Sequence, residues 1–235
     1  MKQKRMYFLL LLIKSLIPFT ATADIATFDI LDDSYTTYST ILGNDNANYG
    51  NSSMLNIYQN SHYRGEGFFK VSDIFGAGPG QLNSGTTIIS AELNLYLDSA
   101  FGETANEYRL YQLSKDWDED TITSNNFGRI LDTGNAISTA VSILAGPTAN
   151  PYTDDTLYSF DVTASLLSWQ SSGDNFGWGL ISPASRNIFF SGEYESDTSL
   201  RPSLIVTYEN AVPVPSSMLL LGAGLVGLAG VSRKS

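Results

Sequence analysis

Residues 91–97 read Ala-Glu-Leu-Asn-Leu-Tyr-Leu, with a small or aliphatic side chain at every second position. Alternate side chains of an extended strand point to opposite faces, so the four apolar residues of this segment share one face. This alternation predicts a half-buried strand of an antiparallel sheet. A second strand is predicted at residues 204–208, where Leu-Ile-Val-Thr-Tyr is rich in β-branched side chains.

Further short segments of the same kind lie on both sides of these two strands. The additional strand candidates are residues 53–58, 67–71, 108–113 and 187–191. Clusters of Gly, Asn, Asp and Ser separate the candidates, as at residues 43–46 and 76–80. Many short strands divided by turn residues predict an all-β fold, a jelly-roll-like antiparallel β-sandwich.

One segment of the chain departs from the β pattern. Val162, Leu166 and Trp169 are spaced so that they share one face of a helix. Asp161 or Thr163 can cap the start of that helix, and a glycine at position 173 can end it. The sandwich is therefore expected to carry one short helix.

The first residues have the pattern of a secretory signal peptide. Lys2, Lys4 and Arg5 precede the apolar residues 6–13, and Ala-Thr-Ala at 21–23 fits a small-x-small cleavage site. Residues 1–23 are predicted to be removed, which leaves residues 24–210 as one domain. The sequence has no cysteine. The exported domain must then be stabilised by burial alone or by a bound ion.

Charge is distributed unevenly along the chain. All 24 acidic residues but only 7 of the 13 basic residues lie within residues 24–210, so this domain carries 7 − 24 = −17. Such a surface repels nucleic acid and anionic lipid headgroups, and it attracts divalent cations. We therefore expect a soluble extracellular domain that has no nucleic-acid partner.

Residues 211–235 form a separate tail. Ala-Val-Pro-Val-Pro-Ser-Ser leads into an apolar run at 218–231, which is followed by Arg233 and Lys234. The tail resembles the PEP-CTERM sorting signal, with Pro213, Val214 and Pro215 in place of its Val-Pro-Glu-Pro lead. That resemblance implies export, transient membrane insertion as a hydrophobic helix and processing by an exosortase-like enzyme. An ordinary membrane anchor is the alternative, but the 14 apolar residues fall short of the roughly 20 that span a bilayer.

The order of motifs in the domain resembles the DNRLRE-type domain, a β-sandwich related to the disaggregatase repeat and to an alginate-binding carbohydrate-binding module. The matching segments are Asp-Ser-Tyr at 33–35, Asn-Tyr-Gly at 48–50, Gly-Phe-Phe-Lys-Val at 67–71, residues 87–96, Trp-Asp-Glu-Asp-Thr-Ile-Thr at 117–123, Phe-Asp-Val-Thr at 160–163, Phe-Gly-Trp-Gly-Leu at 176–180 and residues 201–208. Three features depart from the family pattern, one of which is an added flexible loop at residues 76–80. Ser124-Asn125 replaces the family's Trp-Asn, and Lys70 stands where the family often has Asp.

Residues suited to catalysis are few. His62 is the only histidine, so a catalytic triad or a zinc site would depend on it alone. The acidic residues of 116–120 cluster in one turn and are too close in sequence to face each other across a sugar. We interpret this segment as a solvated acidic turn with Trp117 as its buried anchor. A carboxylate pair elsewhere, acting as a hydrolase or lyase, stays open as the less favoured alternative.

Binding residues can be proposed from their side-chain chemistry. Exposed aromatic rings stack on sugar faces, and cationic side chains bind uronate carboxylates. The candidate platforms are Tyr63, Trp178 and Tyr194, and the candidate cations are Arg64, Lys70 and Arg109. Burial in the core is the alternative role of each aromatic residue.

Calcium is the one cofactor that the acidic residues suggest, because loop carboxylates are the hard oxygen ligands that it prefers. The candidate ligands are Asp32 and Asp33 near the first predicted strand and Asp161 before the helix, where capping is the alternative role. Taken together, the sequence predicts an exported, non-catalytic protein of the cell surface or extracellular matrix in a Gram-negative-type bacterium. It is expected to bind an exopolysaccharide; a structural surface protein without a glycan ligand is the alternative.

Overall fold

The computed structural model describes residues 22–30, 32–101, 107–147, 155–183 and 186–210. The predicted signal peptide, apart from its last two residues, and the predicted sorting tail lie outside these ranges. The tail residues Pro213, Val214, Pro215, Arg233 and Lys234 are therefore not described. Among the described residues, no helix has the length and apolar character needed to cross a bilayer.

Strands account for most of the described secondary structure. They are β1 Ala23–Asp29, β2 Asp32–Ser39, β3 Gly43–Asn44, β4 Met54–Gln59, β5 Tyr63–Lys70, β6 Thr87–Phe101, β7 Glu107–Gln112, β8 Ser142–Ala145, β9 Thr156–Asp161, β10 Trp178–Ile181, β11 Arg186–Phe190 and β12 Ser203–Glu209. The helices are α1 Ser124–Phe127 and α2 Thr163–Ser172, with a 3₁₀ turn at Thr198–Leu200. The predicted strands are thus confirmed to within a few residues, while β1, β2, β3, β8, β9 and β10 were not expected.

All pairings between these strands are antiparallel. The hydrogen-bonded path runs β1-β12-β6-β11-β4-β5-β10-β7-β8, while β2 and β9 pair beside β5 and β6. β2 pairs along one edge of β5, while β4 and β10 share its other edge, at residues 64–65 and 67–69, so the sheet divides there into one branch with β4 and β11 and another with β10 and β7. The rings of Tyr108 on β7 and Phe189 on β11 have centroids only 5.2 Å apart. The sheet therefore folds over on itself as a sandwich, as predicted; its jelly-roll connectivity stays a prediction.

The main core lies between the folded layers. Ala91, Leu93, Leu95 and Leu97 of β6 are all fully buried in it, which confirms the face predicted from their alternation. Each fully buried leucine contributes about 2 kcal/mol relative to an exposed one. β6 is therefore a central element of the sandwich, and its apolar face holds the two layers together.

Helix α2 closes part of this core. Asp161 Oδ1 accepts hydrogen bonds from Thr163 N at 3.0 Å and Thr163 Oγ1 at 2.7 Å, and Gly173 ends the helix at φ = +81°. The predicted end at Gly173 is confirmed. At the start, Val162 occupies the cap position without a side-chain capping bond, and Asp161 accepts from the first helical residue instead. Thr163 Oγ1 also accepts from Ala91 N at 2.9 Å, which ties the helix to β6. Trp169 of the helix packs on Trp178 of β10, with ring centroids 4.6 Å apart.

A second cluster, here called the outer core, lies on the opposite face of β5, β7 and β10. It consists of Phe68, Tyr111, Leu113, Trp117, Ile122, Phe127, Ile130 and Ile181. The connection between β7 and β8 covers this face and supplies five of these side chains. Trp117 is buried, and its Nε1 donates to Phe176 O at 2.9 Å, which confirms its predicted role as an anchor. Consecutive residues Phe68 and Phe69 are therefore both buried, because each face of β5 has its own core.

Glu66 is a buried carboxyl on the same face of β5 as the outer core. Its Oε2 accepts a hydrogen bond from Ile130 N at 2.7 Å. Burial raises its pKa to about 7, although the Ile130 hydrogen bond and the charges of Arg64 and Arg129 act in the lowering direction; Asp132 adds to the rise. Glu66 is thus a proton-binding group inside the fold.

Glu66 is expected to make folding stability fall as the pH rises from about 5 to 8. The folded state keeps the Glu66 proton up to about pH 7, whereas the unfolded chain releases it near its ordinary pKa, so the folded state binds more protons in this interval. Glu66→Gln keeps an acceptor for Ile130 N and should shrink the loss by roughly 2–3 kcal/mol. Urea unfolding at pH 5 and pH 8 measures this loss of unfolding free energy. The control is Glu92→Gln, because Glu92 lies on the exposed surface of β6. An equal loss in wild type and Glu66→Gln would contradict this role.

Candidate functional site

An open depression of about 590 Å³ lies where β2, β4, β5 and β11 come together. We call it the aromatic cleft. It is defined by Tyr35, Tyr49, Asn56, Tyr58, Tyr63 and Arg186. A second depression shares three of these tyrosines and extends the surface toward Asp45 and Leu42. The cleft is therefore a tyrosine-rich groove, open to solvent, and large enough for a few sugar rings.

A glycine in the floor makes room for the rings. Gly65 of β5 pairs with Thr37 of β2 on one side and with Tyr58 of β4 on the other. A methyl group at position 65 would lie 2.6 Å from the Tyr58 ring. The missing side chain thus lets Tyr58 lie across β5. Beside it, Tyr35 and Tyr49 stack with ring centroids 4.2 Å apart and planes within 16°.

Polar groups hold these rings and line the cleft between them. Arg186 donates from Nε and Nη2 to Asn56 Oδ1, at 3.2 and 2.9 Å. The hydroxyls of Tyr49 and Thr37 both donate to Asp45 Oδ2, at 3.0 and 2.6 Å. The Thr37 hydrogen bond is the main reason that the pKa of Asp45 is lowered. Asp45 is consequently an ionised acceptor that fixes the Tyr49 ring.

The tyrosine hydroxyls themselves remain neutral. Burial raises the pKa of Tyr35, Tyr49 and Tyr58 above the usual value of 10. A general base has to titrate near the working pH, so these hydroxyls are hydrogen-bonding groups rather than bases. The cleft can stack rings and bond hydroxyls, which is the chemistry of binding.

Of the six binding residues predicted from the sequence, Tyr63 lies in this cleft, with 41% of its surface exposed. The prediction that Trp178 is a stacking platform is wrong. Trp178 is completely buried because the main core covers its side of β10 and the outer core covers the other. Its ring contacts Trp169, and no ligand reaches it in the folded protein.

The other four predicted residues are dispersed over the surface. Strand alternation places Arg64 on the opposite face of β5 from Tyr63. Lys70 pairs with Asp116 at 2.9 Å, and Arg109 forms an ion pair with Glu107. Tyr194 packs on Phe190 with ring centroids 4.4 Å apart. These side chains do not form one site with Tyr63.

The domain contains a second group of functional interest, here called the carboxylate cluster: Asp33, Glu119 and Glu193. One carboxylate oxygen from each residue lies within 4.8 Å of the others. Asp33 Oδ2 accepts from Gly192 N at 2.7 Å, and Asp33 N donates to Glu119 Oε1 at 2.9 Å. These backbone bonds fix the side chains of Asp33 and Glu119 and bring Asp33 to the turn that carries Glu193.

Three ionised carboxylates as close together as those of the carboxylate cluster would repel one another. Burial raises the pKa of Asp33 well above its ordinary value, and the neighbouring charge of Glu193 raises it further. Burial likewise raises the pKa of Glu119 to about 7 and increases that of Glu193. A proton or a cation has to relieve this repulsion near neutral pH.

Only one of the three predicted calcium ligands belongs to the carboxylate cluster. Asp33 is a member, whereas Asp32 next to it points to the other face of β2 and accepts from Ser72 Oγ at 2.9 Å. Asp161 instead accepts hydrogen bonds from Thr163 at the start of α2. The three candidate ligands therefore do not come together in one site, and calcium binding itself stays a prediction.

Most residues of both groups were not predicted from the sequence. Five of the six residues that define the aromatic cleft were not singled out as binding residues, although Tyr35, Tyr49, Tyr58 and Tyr63 belong, with Tyr38, to the densest run of tyrosines in the chain. That density was a usable signal. No comparable signal existed for Glu119 and Glu193, which reach Asp33 only through the folding of distant loops.

Two family models match the chain. The model of carbohydrate-binding module family 96 matches residues 24–208, and that of the PEP-CTERM protein-sorting motif matches residues 211–234. No curated protein gives a match. The chain is similar to the K1 cleaved adhesin domain of Lys-gingipain from Porphyromonas gingivalis W83, at 11% identity over 83% of this chain and 100% of that one, with a TM-score of 0.23. This structural likeness is too low to carry an argument, and the DNRLRE-type designation stays a prediction.

Proposed function

The chain belongs to carbohydrate-binding module family 96, and on that premise we propose that it is a non-catalytic protein that binds an exopolysaccharide in the aromatic cleft. The PEP-CTERM motif marks it as an exported surface protein that is processed by exosortase-type machinery. Our proposal adds the setting: the outer surface or matrix of a Gram-negative-type bacterium, in a biofilm context.

The cleft itself is the observation that carries this proposal. Tyr63 and Tyr58 present aromatic surface in a solvent-filled groove, and such rings stack on the apolar faces of pyranoses. The Arg186 guanidinium and the Asn56 amide lie beside them and can bond sugar hydroxyls. The arrangement has the two components of a sugar site, an apolar platform and converging polar groups.

The charge of the cleft indicates the class of glycan. Arg186 is the one cationic side chain among the described residues that line it, while the domain as a whole is strongly acidic. A densely charged polyanion would be repelled by the rest of the surface. We therefore propose a neutral or sparsely charged polysaccharide, in which Arg186 binds an occasional carboxylate.

The same lining argues for binding without catalysis. Among the described residues that line the aromatic cleft itself, none is a carboxylate. The adjoining depression contains Asp45, whose Oδ2 is hydrogen-bonded by Thr37 and Tyr49, whereas glycoside hydrolysis generally uses a pair of carboxylates. Burial also raises the pKa of Tyr35 and Tyr58, which makes these two hydroxyls poorer bases for a lyase reaction. His62, the only histidine, is not among the residues that line the cleft. It is exposed and lies beside Thr40, with 3.5 Å between His62 Nδ1 and Thr40 Oγ1.

The proposal predicts that Tyr63→Ala and Tyr58→Ala each weaken glycan binding about tenfold, or ~1.4 kcal/mol, because each removes one stacking surface. Affinity gel electrophoresis of the purified full-length chain through neutral and uronate-containing polysaccharides identifies the glycan, and calorimetry then measures Kd. Tyr96→Ala is the matched control, since Tyr96 lies on β6 outside the cleft.

Three outcomes separate the alternatives. Retardation that both cleft variants lose and Tyr96→Ala keeps supports the proposal. Absence of retardation on every polysaccharide would mean a structural surface protein without a glycan ligand. Release of shortened or unsaturated products in the same samples would mean a hydrolase or lyase.

A further inference from the structure

We propose that the carboxylate cluster of Asp33, Glu119 and Glu193 is a calcium site that fastens three distant parts of the sandwich together. Asp33 belongs to β2, Glu119 to the connection between β7 and α1, and Glu193 to the turn after β11. An ion bound to all three would link segments that are far apart in sequence. This proposal does not rest on glycan binding in the aromatic cleft.

An unpaired buried oxygen is the observation that points to a ligand. Asp33 is completely buried, and Gly192 N occupies its Oδ2, yet no donor among the described residues reaches its Oδ1. The Oε2 atom of Glu193 is likewise buried and without a partner. Buried carboxylate oxygens are normally hydrogen-bonded, ion-paired or metal-bound. Two such atoms belong to carboxylates that approach each other within 4.8 Å, and this leaves a place for a cation.

The protein itself does not supply that cation. None of the ion pairs between described residues involves a member of the carboxylate cluster. The nearest cationic influence on Glu193 comes from Arg201, whose Nε is engaged with Tyr194 O at 2.7 Å. Three carboxylates around one point therefore depend on something from solution for their neutralisation.

The neighbouring backbone holds the ligands in position before any ion arrives. Asn48 Nδ2 donates to Glu119 O at 2.6 Å and to Ile122 O at 3.0 Å, which fixes the Glu119 loop. A methyl group on Gly50 would lie 2.6 Å from Glu119 Cγ, so glycine allows the two segments to touch. Such support of the ligand-bearing segments is typical of a built metal site.

The donor set selects the ion. All three ligands are hard oxygen atoms, which Ca²⁺ prefers and completes with backbone oxygens or water. Zinc and copper favour nitrogen and sulfur donors, and no such side chain belongs to this cluster. Mg²⁺ keeps most of its water and demands a nearly ideal octahedron. The competing arrangement is a proton shared between Asp33 and Glu193 with no metal bound.

The test uses the purified full-length chain after removal of metal with chelator. Added Ca²⁺ should raise the Tm by several degrees in a saturable manner, and Mg²⁺ should raise it much less. Tb³⁺, a luminescent stand-in for Ca²⁺, should give emission excited through Trp117 or Tyr35, which are two residues from ligands along the chain. Ca²⁺ should displace that emission.

Variants assign the response to these residues. Asp33→Asn and Glu193→Gln should each weaken Ca²⁺ binding roughly tenfold or more, and Glu193→Gln is the safer of the two because Glu193 is only partly buried. Asp161→Asn is the control, since asparagine also caps helices and the residue lies outside the cluster. An unchanged Tm together with absent Tb³⁺ emission would leave the shared proton as the explanation. Equal binding by wild type and Glu193→Gln would also overturn the proposal.

Discussion

Replacing Gly177 with alanine is expected to remove about 4 kcal/mol or more of folding free energy, enough to unfold many domains of this size. Gly177 has φ = +78°, and a methyl group there would collide with the carbonyl oxygen of Phe69 and lie 3.0 Å from Lys70 Cβ. The β5–β10 pairing starts at the next residue, Trp178, opposite Phe69. The backbone would have to move where two core layers meet.

Gly173→Ala is the matched comparison for this prediction. Gly173 has nearly the same dihedral, φ = +81°, but a methyl group there meets no atom within 4 Å. Its replacement should cost only the conformational penalty of about 1 kcal/mol. Urea unfolding of the two variants separates backbone conformation from crowding. Equal losses in both would show that the contact with Phe69 is unimportant.

Trp117→Ala is expected to destabilise the fold by about 4 kcal/mol, as removal of a buried aromatic side chain commonly does. It empties the centre of the outer core, where Trp117 contacts Phe68, and leaves Phe176 O without its donor. Trp117→Phe should retain most of the packing. Leu131→Ala, in the same connection but half exposed, should cost less than about 1 kcal/mol.

The Trp117 change also has a readout beyond stability. Glu119 lies two residues away in the same turn, so loosening this anchor should lower Tb³⁺ emission from the carboxylate cluster along with the unfolding free energy. If Trp117→Ala unfolds at the wild-type urea concentration, the outer core is not a stabilising layer. In that case the buried state of Phe68 would need another explanation.

Sequence reasoning succeeded where a local pattern has one structural meaning. The alternation of apolar residues in β6 predicts a strand with one face towards the core. Gly173 ends a helix because glycine readily adopts a positive φ. Trp117 could be identified as an anchor because a large apolar ring among four acidic residues has few other roles. Each of these inferences depended on neighbours a few positions away.

Prediction from the sequence failed for a strand that has no exposed face. All four residues of β10 are buried, since Gly179 packs under Ile130 of the covering connection. Without alternation, Trp178 looked as free to bind a sugar as any other aromatic residue. β1, β2 and β9 were also not predicted. These strands lie at an edge of the sheet or beside the cleft, so they carry polar and aromatic residues in place of the apolar residues that a strand facing the core requires.

The two candidate sites were beyond local reasoning because distant pairings create them. The aromatic cleft exists because β4 and β2 lie on either side of Gly65. The carboxylate cluster exists because β2 brings Asp33 to the turn at Gly192. The choice of Asp32 with Asp33 illustrates the difficulty, as adjacent strand residues point in opposite directions.

The position of the last strand has a mechanical consequence. β12 lies between β1 and β6 and is paired with both along its whole length. A pull on Asn210 directed along the strand axis acts perpendicular to these hydrogen bonds, so both ladders bear the load at once in shear instead of unzipping one bond at a time. A domain held at that end, and binding a polymer elsewhere, would therefore resist tension through a strand that is paired on both sides along its whole length.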